Sequence, residues 1–229
     1  MKKVLPYILP IFRTFLFIFG GLLFAFLTRQ TLEESSNYWP LLCTVYNLIT
    51  ILVLVLVCRY EKIRYKDLIR FNLKGIKISR SLKFILIMLV IGFFGMIGLS
   101  LIFYEGLPEF LIKPIIPSLA IINFLLLPIT IVLAEMPLYF GYSLKRINER
   151  SRRKYFGLFY TVFFYALQHS FIPLLFDFNY MIYRFLSFLP LALFIGYRFM
   201  KEDDLTNPLI AHGVMDFSTS VQVVIVSLI

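Results

Sequence analysis

The chain has 229 residues, of which 60% are hydrophobic and 18% aromatic, with a mean hydropathy of +0.84 and a formal net charge of +10. This composition leaves too little polar surface to cover a water-soluble domain of this size, so it excludes a soluble globular protein. The cations lie beside apolar segments, where they favour contact with anionic lipid headgroups over nucleic acid. We therefore predict membrane lipids, and no nucleic acid, as partners.

Seven apolar stretches follow one another along the chain, each about long enough for a helix to cross a hydrocarbon core of about 30 Å. They cover residues 7–28, 39–58, 84–104, 117–143, 155–175, 180–200 and 207–229. The sequence thus predicts an all-α fold, a polytopic helical bundle of about seven to eight transmembrane helices. We expect residues 1–229 to form a single integral membrane domain.

The loops between these stretches differ in basic charge. Loop 59–83 holds nine lysines and arginines against two acids, and loop 145–154 holds six against one. The positive-inside rule places both loops and the N-terminus in the cytoplasm, so we predict a multi-pass protein of the cell membrane with a cytoplasmic N-terminus. Loop 59–83 also carries apolar residues among its cations, which leaves two interpretations open: a helix lying on the headgroups or a solvated linker.

Ionisable side chains inside the apolar stretches are informative because each needs a partner or a polar cavity at membrane depth. Six of them stand out: Arg13, Glu135, His169, Arg184, His212 and Asp216. At 1.5 Å per residue, four of the six lie about 12–22 Å from the nearest predicted cytoplasmic charge, so their depths overlap. His212 and Asp216 are four residues apart in "HGVMD" and share one helix face. We predict that Glu135, His169, His212 and Asp216 converge on one catalytic site.

The residues after Glu135 favour a locally distorted helix. Pro137 has no N–H, so the carbonyl of Leu133 loses its helical partner and a kink is expected. Gly141 lacks a side chain and allows another segment to approach closely. Simple helix packing is the alternative interpretation of both residues.

A carboxylate, two imidazoles and a second carboxylate can hydrolyse a peptide bond. Glu135 and His169 are predicted to activate water as a general base pair, while His212 and Asp216 stabilise the oxyanion. A second version places zinc on Glu135, His169 and His212, and the sequence leaves metal and metal-free forms open. A proton-coupled transporter and a non-catalytic scaffold or immunity protein are competing classes.

Other polar residues have simpler predicted roles. Tyr165 lies one turn before His169 and is expected to touch substrate or orient the imidazole. Arg184 is expected to snorkel to the outer interface. Arg13 either snorkels inward or pairs with an acid across the bundle. Interhelical hydrogen bonds, rather than site roles, are expected for Asn47, Asn123 and Gln168.

Three short motifs occur in a familiar order: "EMPLYFG", "YALQH" and "HGVMD". This order resembles the CPBP (CAAX protease and bacteriocin-processing, or Abi) family of intramembrane proteases, which includes the type II CAAX prenyl endopeptidases. Its motifs are EExxxRG, FxxxH and HxxxN/D. Glu135 and Gly141 match the first motif, His169 matches the second with Tyr165 in place of phenylalanine, and His212 with Asp216 matches the third. The resemblance covers approximately residues 117–220.

The first motif is altered, because Met136 stands where the family has its second glutamate and Phe140 where it has arginine. We expect that packing has replaced an ion pair there, so that no charge is left unpaired. The resemblance implies an intramembrane endopeptidase, described as a metallopeptidase and also argued to act without metal. It implies a peptide or protein substrate, such as a CAAX-like C-terminus or a bacteriocin or pheromone leader peptide.

Overall fold

The computed structural model describes residues 2–106 and 112–229, and the described residues form helices and no strand, which confirms the all-α prediction. The α-helices are α1 (Leu5–Thr28), α2 (Leu32–Ser36), α3 (Trp39–Glu61), α4 (Tyr65–Ile69), α5 (Ile78–Tyr104), α6 (Pro117–Met136), α7 (Lys145–Arg150), α8 (Phe156–His169), α9 (Phe178–Glu202) and α10 (Thr206–Leu228). A 3-10 turn covers Leu73–Gly75, and a π-helical segment covers Pro137–Leu144.

Within the described ranges, six helical segments are long and apolar enough to cross a membrane: α1, α3, α5, the continuous run from α6 to α7, α9 and α10. Stretch 155–175, which the sequence predicts as a further span, yields only α8. This helix has 14 residues and is therefore about 21 Å long. It stops because Pro173 disfavours helical geometry in the residue before it.

The basic loop 59–83 folds back onto the bundle instead of forming a long surface helix. Its short helix α4 buries Leu68, which is 4% exposed. The hydroxyl of Tyr65 donates a hydrogen bond to the carbonyl oxygen of Leu133, the acceptor that Pro137 leaves free. A Cβ built on Gly141 would overlap the backbone oxygen of Leu68. The predicted close approach at Gly141 is therefore confirmed, and α4 is the segment that approaches.

The distortion after Glu135 is a π-helical segment rather than a simple kink. Helix α6 ends at Met136, and all eight residues of Pro137–Leu144 are buried. Wide turns of this kind often mark functional sites in helices because they redirect the neighbouring side chains. Here the π-helical segment begins directly after the last turn of α6, which carries Glu135.

Helix α6 occupies the centre of the bundle. It packs against α3 on one side and α10 on the other, while α8 packs against α9, and α1 contacts both α8 and the π-helical segment. Glu135 therefore lies where four helices meet, and its surroundings are set by residues far away in sequence.

Candidate active site

The carboxylate of Glu135 is fully buried, and its two oxygens have different surroundings. Oε1 accepts hydrogen bonds from Nη2 of Arg13 at 3.0 Å and from Nε2 of Gln168 at 2.7 Å. Charge-assisted hydrogen bonds of this type fix a carboxylate more firmly than neutral ones. One oxygen of Glu135 is thus committed to holding the side chain in place.

Arg13 is itself fully buried in α1 and donates four hydrogen bonds in total. Besides Glu135, it reaches Oε1 of Gln168, Oγ1 of Thr50 and Oδ1 of Asn47, each at 2.7 Å. Of the two predicted roles for Arg13, pairing with an acid across the bundle is confirmed, and inward snorkelling is wrong. The network joins α1, α3, α6 and α8 around one ion pair, and each nitrogen of the guanidinium donates to at least one acceptor, as burial requires.

The second oxygen of Glu135 faces His212. Oε2 lies 3.3 Å from Nε2 of His212, and the same nitrogen lies 3.3 Å from Oδ2 of Asp216. These three buried atoms make no aligned hydrogen bond to any residue in the described part of the chain. Both carboxylates approach the same ring nitrogen, unlike a catalytic triad, in which the orienting carboxylate binds the opposite nitrogen. The predicted grouping of Glu135, His212 and Asp216 is therefore seen in the structure.

His169 lies in a second layer of the site, formed with two aromatic rings. Its Nδ1 donates to the carbonyl oxygen of Tyr165 at 2.7 Å, which leaves the lone pair of the neutral ring on Nε2. Its ring stacks on Phe188 at 3.6 Å between centroids and lies 4.9 Å from the ring of Tyr165. The predicted Glu135–His169 pair is not a direct hydrogen bond in the described structure. The imidazole next to Glu135 belongs to His212.

Tyr165 connects the two layers. It is fully buried, and its hydroxyl lies beside Glu135 without an aligned hydrogen bond to a described residue. Buried hydroxyls normally have a hydrogen-bond partner. Because the hydroxyl of Tyr165 has none among the described residues, it is available as a donor to a bound molecule.

The predicted zinc ligands do not fit a metal. In residues 2–106 and 112–229, no three histidine, cysteine, aspartate or glutamate side chains are placed to hold one ion together. The guanidinium of Arg13 shares Oε1 of Glu135 and repels a second cation at that carboxylate. The set Glu135, His169 and His212 therefore gives no basis for a step through a metal.

The altered positions of the first motif are filled by packing, as expected. Met136 and Phe140 are both fully buried in the main hydrophobic core. The ring of Phe140 lies 5.7 Å from that of Tyr165. No charge is left unpaired at these positions, and the guanidinium that pairs with Glu135 comes from Arg13 in a different helix.

Two side chains play larger parts than the sequence suggests. Gln168 forms interhelical hydrogen bonds as expected, but one of them is to Glu135 itself, and it also accepts from the hydroxyl of Tyr139 at 2.9 Å. Arg184 is only 6% exposed, so the expected snorkelling to the outer interface is wrong. Its Nε donates to the carbonyl oxygen of His169 at 3.4 Å. For a cation only a few residues from a helix end, the sequence does not distinguish snorkelling to the interface from burial in the bundle, because both are common.

An apolar cavity of about 420 Å³ lies beside the site, between α4, α6 and α10. Leu133 and Leu209 line it, two and three residues before Glu135 and His212, and Lys66 contributes a positive charge to its wall. A cavity of this size with apolar walls suits a peptide side chain or a similar apolar group.

The fold and the site define a helical membrane protein with a buried group of carboxylates and imidazoles. Residues 117–218 match the family model described as Type II CAAX prenyl endopeptidase Rce1-like. The match begins at the first residue of α6 and ends two residues after Asp216, so the resemblance stated from the motifs is confirmed. Comparison with curated proteins and with solved structures found no match.

Proposed function

We propose that this protein is an intramembrane endopeptidase that hydrolyses a peptide bond with a water molecule activated at Glu135. The observation that carries the proposal is the asymmetry of the Glu135 carboxylate. Arg13 and Gln168 hold Oε1, whereas Oε2 makes no aligned hydrogen bond and faces Nε2 of His212. Unpaired buried polar atoms that converge in this way are what a bound, reactive water requires.

In the proposed reaction, Oε2 of Glu135 takes a proton from the water while the water oxygen bonds to the carbonyl carbon of the substrate. The resulting tetrahedral oxyanion accepts hydrogen bonds from the hydroxyl of Tyr165 and from the imidazole of His212. Collapse of this intermediate breaks the carbon–nitrogen bond, and the proton taken up by Glu135 passes to the leaving amine. The products are a new carboxylic acid and a new amine, so the step consumes one water and needs no redox partner.

The two histidines have separate proposed roles. His212 lies between Glu135 and Asp216, so it contacts the water and exchanges protons with it, and Asp216 balances the charge of the ring when it is protonated. His169 carries its proton on Nδ1, so its Nε2 is an acceptor that orients the water or the substrate amide. The catalytic set is Glu135, His169, His212 and Asp216, with Tyr165 as an oxyanion donor.

The proposal treats residues 1–229 as one integral membrane domain, because α1 and α3 supply Arg13, Asn47 and Thr50 to the same network as Glu135. These two helices lie outside the range of the family match. The proposed substrate is a peptide within or at the membrane, either a leader peptide or a CAAX-like C-terminus. The apolar cavity beside Leu133 and Leu209 supports an apolar residue near the scissile bond.

The test is a cleavage assay in liposomes with quenched fluorescent peptides of both substrate types. Wild-type protein is expected to cleave at least one of them, and Glu135→Gln is expected to lose cleavage while keeping its helical circular dichroism. Proton flux that needs no peptide would instead favour a transporter. Folded wild-type protein that cleaves neither peptide would favour the scaffold or immunity class.

A further inference from the structure

Arg184 is the second arginine buried inside the bundle, and its surroundings differ from those of Arg13. Arg13 donates four hydrogen bonds and pairs with Glu135. The side chain of Arg184 donates only from Nε, to the carbonyl oxygen of His169 at 3.4 Å, and its Cζ lies 4.7 Å from the centroid of Phe188. The two terminal nitrogens of Arg184 donate no hydrogen bond to a described residue. No carboxylate in the described residues forms an ion pair with Arg184.

Arg184 is only 6% exposed and has no counter-ion among the described residues, which is unfavourable because burial reduces the hydration of its guanidinium without supplying an opposite charge. The carbonyl of His169 and the face of Phe188 offset part of this loss, since a helix C-terminus and an aromatic ring both attract cations. Neither the carbonyl nor the ring binds the two terminal nitrogens of the guanidinium. These nitrogens lie in one plane with a spacing that matches the two oxygens of a carboxylate. Within residues 2–106 and 112–229, the terminal nitrogens of Arg184 therefore lack an anionic partner.

Arg184 also lies next to the proposed catalytic machinery. Phe188 stacks on the ring of His169 with an interplanar angle of 17°, so guanidinium, phenyl ring and imidazole form one connected group. An anion held by Arg184 would thus be bound beside His169.

We propose that Arg184 binds a carboxylate group of the peptide substrate and thereby positions the scissile bond next to His169. The inference rests on the proposed peptidase function for the identity of the ligand as a peptide. The carboxylate is either the C-terminus of the peptide or an aspartate or glutamate side chain, since both present the same two oxygens to the guanidinium.

The experiment measures peptide binding, so it does not depend on turnover. Three fluorescently labelled heptapeptides of alanine and leucine are used: one with a free C-terminal carboxylate, one with a C-terminal amide, and one amide with a single internal aspartate. Binding to purified protein in detergent is followed by fluorescence anisotropy. We expect wild-type protein to bind at least one carboxylate peptide about tenfold more tightly than the neutral amide, and the tighter of the two identifies the source of the carboxylate.

Arg184→Gln is expected to bind all three peptides alike, and Arg184→Lys to keep part of the preference, because it retains the charge without the planar fork. Arg198→Gln is the matched control, since Arg198 lies in the same helix and pairs with Glu202. Wild-type protein that binds the three peptides equally, or binds none, would overturn the proposal. So would an unchanged preference in Arg184→Gln, which would reduce Arg184 to a cap on the end of α8.

The two proposals fail separately. Carboxylate-selective binding without any cleavage would refute the peptidase and keep the Arg184 site. Cleavage that proceeds equally well for acid and amide peptides would refute the Arg184 site and keep the peptidase.

Discussion

Nε2 of His212 lies 3.3 Å from Oε2 of Glu135, although the two residues are on different helices and the contact is not an aligned hydrogen bond. This geometry suits two side chains that both bind the proposed water molecule. We therefore expect His212→Ala to lower the rate of peptide cleavage by about 10²–10⁴, the usual contribution of a general acid or base. Val214→Ala on the same helix is the control because this side chain is 40% exposed. Equal rates for the two variants would remove His212 from the mechanism.

The ion pair between Arg13 and Glu135 predicts coupled stabilities. Arg13→Met leaves a buried carboxylate unpaired, and Glu135→Gln leaves a buried guanidinium unpaired, so each should destabilise the protein by about 3–5 kcal/mol. The double variant removes both charges and should lose much less than the sum of the two. Unfolding in detergent, followed by circular dichroism, measures the three variants. Strictly additive losses would contradict the pairing.

Gly141 predicts a steric effect. Gly141→Ala places a methyl group against the backbone oxygen of Leu68, and since backbone cannot rotate away, α4 must shift, at a cost of about 1–3 kcal/mol. Gly98→Ala is the matched control, because a Cβ there meets nothing within 4 Å. It should be neutral or stabilise α5 by up to about 1 kcal/mol. The melting temperatures of both variants test this difference.

The hydrogen bond from Tyr65 to Leu133 predicts a dependence on Pro137. Tyr65→Phe leaves the half-buried Leu133 carbonyl without a donor, which should cost about 1 kcal/mol. In a Pro137→Ala background the backbone N–H of residue 137 becomes available as a donor, so Tyr65→Phe should then cost less. Denaturant titration of the four proteins measures the difference, and an identical cost in both backgrounds would argue against this explanation of the Tyr65 contact.

The arrangement of the site predicts insensitivity to chelators. Because Arg13 shares the Glu135 carboxylate and no described group of three ligands can hold an ion, cleavage should persist after treatment with EDTA and 1,10-phenanthroline. The measurement is the initial rate before and after dialysis against each chelator. Loss of activity that returns with added zinc would contradict the metal-free proposal.

The sequence predicts the fold well because apolar length is a strong signal in a membrane protein. It also predicts the local distortion after Glu135, since Pro137 acts through its own covalent structure. Periodicity within α10 likewise brings His212 and Asp216 together. These predictions depend on residues that are near one another in the chain.

The partners of Glu135 are harder to predict because they come from separate helices. Arg13 and Gln168 are 122 and 33 residues away from Glu135, and helix rotation about the bundle decides whether they meet it. For the same reason, the sequence suggests His169 as the neighbour of Glu135, whereas the structure places His212 there. The end of α8 at His169 depends on Pro173. Its effect on helix length is missed when an apolar stretch is judged only by its total number of residues.

The sequence separation of 122 residues from Arg13 to Glu135 also constrains how the protein is made. At about 5–20 residues per second, a ribosome needs roughly 6–24 s to reach the acid after it has synthesised the base. Asn47 and Thr50 emerge much earlier, so α1 and α3 are able to form a hydrogen-bonded pair first and shelter the cation until α6 inserts. The site is thus completed late in biogenesis. The carboxylate of Glu135 neutralises the guanidinium of Arg13 only when the second half of the chain enters the bilayer.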